Sequence, residues 1–500
     1  MGLKRSLSKP YADFLIGRVK ARYQDPVRVQ RKVFEDLIRK GKGTAFGKDH
    51  GLEKVRDHTE FCKRVPIRDY EGLRPYIDRV VGGEKDVLWP GLPLYLSKTS
   101  GTTSGAKYIP LTRDSMPNHI GSTKRALLSY IHEKRDASFL DGKMIFLQGS
   151  PELEEKNGIK TGRLSGIVAH HVPSYLQKNR LPSWETNMIQ DWEAKLERVI
   201  DETLEERMTL IGGIPSWVQM YFERIRERTG YKVKEVFPHL QLYVHGGVNF
   251  EPYRTHFQEL LGGPCEAIET YPASEGFIAY QDRQDTEGML LTLDSGIFYE
   301  FVPLEDVGKE EPLRLTVGEV EAGKDYAVVL SNNAGLWAYD LGDTVRFTHL
   351  DPPRIEVSGR TEHFTSAFGE HVIAKEVEEA LRVALREAGG QVVEFTVAPR
   401  LDVPGSERPH HEWFIEFAQE PADPELFWRA LDERLQEQNI YYRDLIQGGI
   451  LRPLQIRRVQ KGGFNAYMAS MGKLGGQNKV PRLSNDRSIA EELEARLQEG

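Results

Sequence analysis

Residues 208–247 read MTLIGGIPSWVQMYFERIRERTGYKVKEVFPHLQLYVHGG, and this stretch decides the fold class. The apolar run at 208–215 ends in glycines and a proline, as a buried strand that enters a turn does. The next residues have the apolar spacing of an amphipathic helix that ends at Gly230, and a second apolar run ends at Gly246 and Gly247. Strand, helix and strand in this order indicate a parallel sheet with helices on its faces.

The same alternation extends on both sides of this stretch. Strand-like and helical runs alternate in the segments KMIFLQG (143–149), DWEAKLERVIDETLEER (191–207), EPYRTHFQELLGG (251–263) and EAIETYPASEG (266–276). Ligands bind beyond the carboxyl ends of the strands in such sheets. The ends of the strand-like runs, LIGGIP, YVHGG and ETYPASEG, therefore mark the expected binding edge.

The segments that flank this region differ from it. The first ninety residues are mostly helical. Strand-like runs joined by tight polar turns occur at GIFYEFVPL (296–304), YAVVLSN (326–332), LWAYDL (336–341) and TVRFTHL (344–350). They predict an antiparallel sheet or a barrel-like subdomain. DPPRIEVSGRTEHF (351–364), with its prolines and glycine, is the best linker candidate, and a small α+β domain of about 140 residues is expected after it.

Composition limits the class of protein. The chain has 500 residues, 39% hydrophobic and 28% charged, so two or more domains are expected. A net charge of −8 offers no whole-protein basic field to nucleic acid. Cys62 and Cys265 cannot form a disulfide framework, have no CxxC or metal-ligand neighbour, and are expected to be buried thiols in a reducing cytoplasm. No apolar run or leader pattern predicts a membrane or secreted protein.

The loop SKTSGTTSGAKYIP (97–110) concentrates hydroxyls, glycines and a lysine between two apolar stretches. A solvated turn between strands is one interpretation, and a cradle for phosphate oxygens is the other. It is not a Walker A loop, because Ala106 stands where the second glycine belongs and Tyr108 follows Lys107. YIPLT after it is strand-like, so the loop is expected to join two strands and to offer hydroxyls instead of a helix N-terminus.

TSGTTSGAK (99–107) resembles the phosphate-binding signature of the adenylate-forming superfamily, which includes acyl-CoA synthetases and luciferases. Longer motifs resemble the Gretchen Hagen, or auxin-responsive promoter, family of acyl acid–amido synthetases. These motifs are FGKDHG, VPIRDYEGLRPYIDRVVGGEKDVLWPG, YPASEGFIA, YDLGDTVRFT, SAFGEHV and GGQNKVPRL. They occur in the family's order and span nearly the whole chain. The chain is shorter than the plant members, so plant-specific insertions are expected to be missing.

The resemblance implies an ATP site with a phosphate loop and an acidic segment. Lys107 would be a cation near the β- and γ-phosphates, which the loop would grip with Thr99, Ser100, Gly101, Thr102, Thr103 and Ser104. In relatives, glycine and proline often stand where Ser104 and Ala106 are found here. Tyr271 would lie near the adenine, Ser274 near the α-phosphate and acyl group, and Glu275 would bind Mg²⁺. Taken alone, Glu275 would be interpreted as a surface loop acid.

The resemblance also implies roles for residues later in the chain. Asp343 in YDLGD matches the family's ribose-binding aspartate, and Arg360 matches an arginine beside the hinge that reaches the ribose or phosphate. A turn aspartate and a solvated linker arginine are the alternatives. The adenine would lie against the backbone of Gly246, Gly247 and Val248. Lys479 in GGQNKVPR is the candidate for the catalytic lysine of the carboxyl-terminal domain, and an exposed surface lysine is the alternative.

The predicted fold is α/β, with a large N-terminal domain of mixed and parallel sheets, helices and a β-subdomain, followed by a small mobile α+β domain. The predicted boundaries are 1–357 for the adenylation domain, 358–363 for the hinge and 364–500 for the domain that swings about it. The candidate acyl-pocket residues are Ile214, Pro215 and Trp217. The pair His170 and His171 is expected to be solvated.

These observations predict an ATP- and Mg²⁺-dependent ligase that adenylates a carboxylic acid and transfers the acyl group to an amino acid. An acyl-CoA ligase with the same adenylate chemistry and a catalytically silent nucleotide-binding protein are the alternatives. The expected partners are small acids and amino acids, with no nucleic acid and no membrane. A cytoplasmic monomer or weak dimer is expected.

Overall fold

The computed structural model describes residues 3–100, 106–172, 177–189, 191–247, 250–360, 372–400, 409–447, 451–472, 480–484 and 487–497. The chain forms two compact units. The first comprises Met1–Gly247 and Leu261–Glu356, and the second comprises Val248–Leu260 and Val357–Gly500. The segment at 248–260, which the sequence places in the large domain, thus groups with the second unit.

The first unit contains eleven α-helices among its described residues. They are α1 (Leu3–Arg22), α2 (Pro26–Gly41), α3 (Ala45–Asp49), α4 (His58–Arg64), α5 (Tyr70–Val81), α6 (Met116–Lys134), α7 (Leu164–Ala169), α8 (Trp184–Met188), α9 (Trp192–Thr203), α10 (Pro215–Thr229) and α11 (Val233–Val236). The predicted glycine stop is confirmed, because Gly230 caps α10 with a left-handed φ of 75°.

Fifteen strands form the two sheets of this region. They are β1 (Tyr95–Ser100), β2 (Ala106–Leu111), β3 (Lys143–Phe146), β4 (Glu154–Lys156), β5 (Ile159–Gly162), β6 (Arg180–Leu181), β7 (Met208–Gly212), β8 (Leu242–Gly246), β9 (Glu266–Ala273), β10 (Gly276–Tyr280), β11 (Met289–Leu291), β12 (Ile297–Pro303), β13 (Asp325–Asn332), β14 (Tyr339–Leu350) and β15 (Pro353–Arg360).

The large sheet has eleven strands in the order β12-β13-β14-β15-β11-β10-β9-β8-β7-β3-β6. Strands β6, β3, β7, β8 and β9 pair in parallel, which confirms the alternation predicted from residues 143–275. All five residues of β7 are buried, as expected for a parallel strand covered on both faces. A second sheet has the order β2-β1-β5-β4.

The antiparallel strands predicted for residues 296–350 are confirmed, and they continue the large sheet. Two details of residues 336–364 need correction. LWAYDL and TVRFTHL contribute to one strand, β14, and most of the predicted linker is strand β15. Ile355 pairs with Met289 of β11 and is fully buried, so burial and pairing override the proline and glycine signals of this segment.

A buried cluster of charged side chains connects α4 to β12. Arg314 donates from Nε and Nη2 to the two carboxylate oxygens of Glu300, at 2.8 and 2.7 Å. His58 Nε2 lies 2.6 Å from Glu300 Oε1, and Cys62 Sγ lies 3.3 Å from the same imidazole nitrogen. The prediction that Cys62 has no metal-ligand neighbour is therefore wrong. His58 and Cys62 are four residues apart on one helix, a spacing that places them side by side.

The cluster predicts a pH dependence of stability. Burial lowers the pKa of His58, but hydrogen bonds to Cys62 and Glu300 outweigh burial and raise the pKa from 6.5 to about 10. The folded protein thus binds a proton that the unfolded chain loses above pH 6.5, so this stabilisation is complete below pH 6.5 and disappears towards pH 10. We expect the difference in Tm between wild type and His58→Gln to narrow over this range. The exposed His349, changed to glutamine, is the control, and a constant difference for His58→Gln would contradict the assignment.

The second unit is a three-stranded sheet with helices on both faces. Its elements are α12 (Glu251–Leu261), α13 (Ala374–Ala388), β16 (Gln391–Arg400), β17 (His410–Gln419), α14 (Pro424–Gln438), α15 (Ile440–Gln447), β18 (Gln455–Val459), α16 (Gly463–Ser470) and α17 (Ser488–Glu494). In β17, Trp413 and Ile415 pack with α13 and α14, whereas Phe414 packs with Phe464 on the other face. The predicted α+β character is confirmed. Within the described residues, none of the helices combines the length and apolar character that a membrane crossing requires.

Candidate active site

The predicted phosphate loop joins two antiparallel strands. Thr99 pairs with Lys107 and Ser100 pairs with Ala106 at the ends of β1 and β2. The prediction that the loop connects strands, not a strand and a helix, is confirmed by this pairing. The loop residues Gly101, Thr102, Thr103 and Ser104 lie outside the described residues.

Lys107 is a half-buried cation beside this loop. Its Nζ lies 5.6 Å from the centroid of the Tyr70 ring, and the Tyr70 hydroxyl accepts a 2.9 Å hydrogen bond from the backbone of Tyr108. No carboxylate of the described chain forms an ion pair with Lys107. A ring face compensates a cation only weakly, so this ammonium can still bind an anion.

Ser274 and Glu275 are the two turn residues of the hairpin between β9 and β10, in which Ala273 pairs with Gly276. The Ser274 hydroxyl oxygen lies 2.9 Å from that of Ser97, which is fully buried in β1. This contact joins residues 177 positions apart. It places the acidic turn beside the strand that leads into the phosphate loop.

Glu275 is held by two neighbours. Its backbone carbonyl accepts a 2.7 Å hydrogen bond from the Asn332 side chain. Its carboxylate accepts a hydrogen bond from the hydroxyl of Tyr339, a nearly buried residue at the start of β14. Burial and the nearby carboxylates of Glu275 and Asp340 raise the pKa of Tyr339, so its hydroxyl remains a donor. Glu275 itself is half-buried.

A β-bulge directs Asp343 towards the same hairpin. Asp340 pairs with Val329 and Thr344 pairs with Ala327, so three residues of β14 face one residue of β13. Gly342, inside the bulge, has a φ of 76°, which glycine adopts without strain. The hydroxyl of Tyr271 in β9 donates a 2.5 Å hydrogen bond to Asp343 Oδ2. Asp343 is therefore a strand residue, not the turn aspartate of the alternative interpretation.

Structural constraints explain the two glycines at the end of β8, Gly246 within the strand and Gly247 directly after it. A Cβ on Gly246 would lie 2.2 Å from the backbone oxygen of Thr270, and Gly247 has a φ of 87°. Ile214 is half-buried, whereas Pro215 and Trp217 are buried at the start of α10. Contact of these residues with adenine or an acyl group stays a prediction.

The structure thus brings together five of the predicted residues, namely Thr99, Tyr271, Ser274, Glu275 and Asp343. Tyr271, Ser274 and Glu275 share one hairpin, Asp343 is bonded to Tyr271, and Ser97 connects the hairpin to the strand of Thr99. Val248 and Lys479 lie outside the described residues, and for Arg360 only its place at the end of β15 is described. Sequence analysis missed Ser97, Asn332 and Tyr339.

The histidine pair is only partly solvated. His170 is exposed, but its Nε2 lies 2.9 Å from the backbone oxygen of Pro151. His171 is half-buried, and its Nε2 lies 3.0 Å from the hydroxyl of Tyr95 in β1. Burial and the charge of His170 lower the pKa of His171, so its imidazole is neutral at neutral pH.

Three family domains match the chain in order. The GH3 family N-terminal domain matches residues 15–196 and 164–265, the GH3 family central domain matches 290–360, and the GH3 family C-terminal domain matches 375–488. The chain belongs to the GH3 family. This confirms the family predicted from the motifs.

Relatives of the GH3 chain match it over nearly their full length. It is 22% identical to jasmonoyl–L-amino acid synthetase JAR4 of Nicotiana attenuata, with 93% of this chain and 92% of the relative covered. It is 23% identical to indole-3-acetic acid-amido synthetase GH3.3 of Arabidopsis thaliana, with 94% and 91% covered.

Solved structures show which fold the GH3 chain shares. The AtGH3.15 acyl acid amido synthetase in complex with 2,4-DB superposes with a TM-score of 0.79 at 18% identity, over 96% of both chains. A 2-hydroxyisobutyryl-CoA ligase in the postadenylation state, in complex with 2-HIB-AMP, gives 0.62 at 13% identity, over 93% and 91% of the two chains. The predicted α/β fold class is confirmed.

Proposed function

We propose that this GH3 protein is an acyl acid–amido synthetase, a ligase that uses ATP to join a carboxylic acid to an amino acid. In the first step, a carboxylate oxygen of the acid bonds to the α-phosphorus of ATP and pyrophosphate leaves. In the second step, the amine nitrogen attacks the acyl carbon and loses a proton, and AMP leaves. Membership of the GH3 family and the printed names of its relatives support this reaction.

One observation carries the proposal: the hydrogen bonds that join the β9–β10 hairpin to its neighbours. Ser274 reaches β1, Tyr271 reaches Asp343, and Glu275 reaches Tyr339. Adenylation needs phosphate charge neutralised and two reactants held in line. A hairpin that gathers hydroxyls and carboxylates beside a hydroxyl-rich loop has the donor and acceptor types for this task.

The proposed role of each residue follows from the chemical type of its side chain. Lys107 and the loop hydroxyls donate to the β- and γ-phosphates, Ser274 donates near the α-phosphate, and Asp343 accepts from the ribose hydroxyls. Glu275 fits a Mg²⁺ site, because a half-buried carboxylate in the turn beside β1 supplies the kind of protein oxygen that this ion commonly takes beside phosphate oxygens. Bound there, Mg²⁺ offsets the negative charge of the phosphates.

We assign the remaining predicted roles on the family resemblance. Gly246, Gly247 and Val248 lie against the adenine, and Ile214, Pro215 and Trp217 line the acyl pocket. Lys479 and Arg360 complete the adenylation site, and the second unit swings about residues 358–363. The division of the chain between Glu356 and Val357 supports a hinge close to this position.

The proposed reaction is tested by identifying the products that are formed from ATP. Purified protein is incubated with ATP, Mg²⁺, a panel of aryl and aliphatic acids and the common amino acids, and nucleotides and conjugates are measured. We expect AMP, pyrophosphate and an amide, and pyrophosphate exchange that needs the acid but not the amine. ADP and phosphate would exclude an adenylate. A thioester formed with CoA, but no amide, would favour the acyl-CoA ligase, and no turnover at all would favour the silent nucleotide-binding protein.

The β-bulge makes a separate prediction. Gly342→Ala forces a side chain into a left-handed conformation, at a cost of about 1–2 kcal/mol. It also displaces Asp343, so we expect the KM for ATP in pyrophosphate exchange to rise by about tenfold or more. Gly308→Ala is the matched control, because Gly308 has a φ of 82° in an exposed turn with open space around it. An equal rise of the KM in both variants would contradict the role of the bulge.

A further inference from the structure

Three cationic side chains surround Gln148, which follows the carboxyl end of β3. Lys195, only 4% exposed, donates from Nζ to the backbone oxygens of Gln148 and Asn187, at 2.9 and 3.0 Å. Arg180 donates from Nη2 to Gln148 Oε1 at 2.8 Å. The Arg163 side chain lies against Gly149, with Cδ 3.3 Å from the position of a Cβ there. We call these residues the Gln148 cluster.

Within the described part of the chain, no carboxylate forms an ion pair with Arg163, Arg180 or Lys195. Glu197, two residues after Lys195, pairs with Arg224 instead. Buried cations are otherwise paired in proteins, because an unpaired charge loses its hydration without compensation.

Unpaired polar atoms converge on the same cluster. Gln148 Nε2, Arg180 Nε and Ser165 Oγ are buried and have no hydrogen-bond partner among the described residues. Ser165 Oγ lies 3.9 Å from the Cβ position at Gly149. A buried polar group without a hydrogen-bond partner destabilises the folded chain. These atoms can all donate, and an acceptor-only carboxylate would satisfy donors and cations together.

Burial disfavours the charges of this cluster. It lowers the pKa of Lys195 to about 8, with a further contribution from Arg163, and it lowers the pKa of Arg180 to about 10. Burial also lowers the pKa of Arg163. An anion bound among these groups would offset this penalty.

The cluster lies next to the candidate active site within the first unit. Gly162 of β5 pairs with Ser97 of β1, and Arg163 is the next residue along the chain. Ser97 in turn contacts Ser274 of the β9–β10 hairpin. Arg163 is therefore one residue from a strand pair that reaches the turn of Ser274 and Glu275.

We propose that Arg163, Arg180 and Gln148, supported by Lys195, bind the carboxylate of the amino acid that accepts the acyl group. This inference rests on the proposed function. The carboxylate of the acid substrate is consumed, since it becomes an ester of AMP when adenylated. The amino acid keeps its carboxylate throughout the reaction, so a permanent site for an anion beside the adenylate suits the acceptor.

The test distinguishes binding of the amino acid's carboxylate from binding of the acid substrate's carboxylate. Arg163→Gln and Arg180→Gln are assayed with the acid and amino acid that give the highest turnover, and with the primary carboxamide of that amino acid. We expect the KM for the amino acid to rise at least tenfold in both variants, while pyrophosphate exchange without amine stays within twofold of wild type. Wild type should prefer the amino acid to its carboxamide, and the variants should lose this preference. Arg113→Gln, at an exposed arginine after β2, is the control and should change neither value.

Each other outcome overturns the inference in a recognisable way. An unchanged KM for the amino acid, or an equal rise for the carboxamide, would show that the cluster does not bind the acceptor carboxylate. A loss of exchange with an altered KM for the acid would assign the cluster to the acid substrate. Absence of exchange in wild type with every acid would instead refute the proposed function. Both arginines are only partly buried, and a Tm measurement confirms that each variant is folded.

Discussion

Glu275→Gln is expected to reduce pyrophosphate exchange at least about 100-fold, because it removes the charge that positions the metal at developing phosphate charge. Glutamine keeps the volume of the side chain and an oxygen that accepts from Tyr339, so the hairpin should remain folded. Raising the Mg²⁺ concentration should restore part of the activity, since the variant retains a weaker neutral ligand.

Glu287→Gln provides the matched control for this variant. Glu287 is an exposed acid in a turn of the same unit, and its replacement changes the net charge equally. Its exchange rate should equal that of wild type, with the same Mg²⁺ dependence. Pyrophosphate exchange by Glu275→Gln at the wild-type rate would show that Glu275 is not the metal-binding carboxylate. If the wild-type protein binds ATP but catalyses no exchange, a silent nucleotide-binding protein would be favoured.

Arg314→Met is expected to destabilise the first unit by about 3–5 kcal/mol, because it leaves the carboxylate of Glu300 buried without its main partner. Glu300 is fully buried, and the Arg314 side chain is 5% exposed. Arg314 also donates from Nη1 to the backbone oxygen of Val65 at 2.6 Å, so its loss frees a further buried acceptor. A fall of Tm by at least about 5 °C should follow in a thermal scan.

Two further variants test the reason for this loss. Arg283→Met removes an equally bidentate pair with Asp285, but that pair is exposed, so its Tm should stay within about 1 °C of wild type. The double variant Arg314→Met/Glu300→Leu removes both charges and should recover most of the lost stability. Equal losses in the double and single variants would show that cavity formation, not an unpaired charge, causes the effect.

Much of the fold follows from local patterns. The run from Met208 to Gly247 forms β7, α10 and β8 as its periodicity indicates, and YIPLT continues the strand that ends the phosphate loop. β15 was missed because its prolines and glycine signal a linker, whereas in the sheet it lies between the preceding strand β14 and β11, which is more than sixty residues earlier in the chain. Pairing with a distant strand is a tertiary effect that no local window contains.

The candidate site, like the fold, was only partly predictable from local sequence patterns. The motif YPASEG already contains Tyr271, Ser274 and Glu275, but Ser97, which contacts Ser274, has no motif of its own in a loop full of hydroxyls. Tyr339 is the first residue of the motif YDLGD, but only the folded structure shows that its hydroxyl donates a hydrogen bond to Glu275. Side-chain partners of this kind depend on strand order and register.

Local sequence patterns were enough to predict the alternation of strands and helices, the loop between two strands, the family and the residue types of the site, because these depend on residues close together in the chain. Tertiary contacts were needed to show that β15 is a strand, that Arg314 neutralises Glu300, and that no described carboxylate pairs with the cations around Gln148. Acidic and basic residues both occur throughout this chain. Which charges meet is therefore decided by contacts between distant segments, where burial makes a missing partner costly.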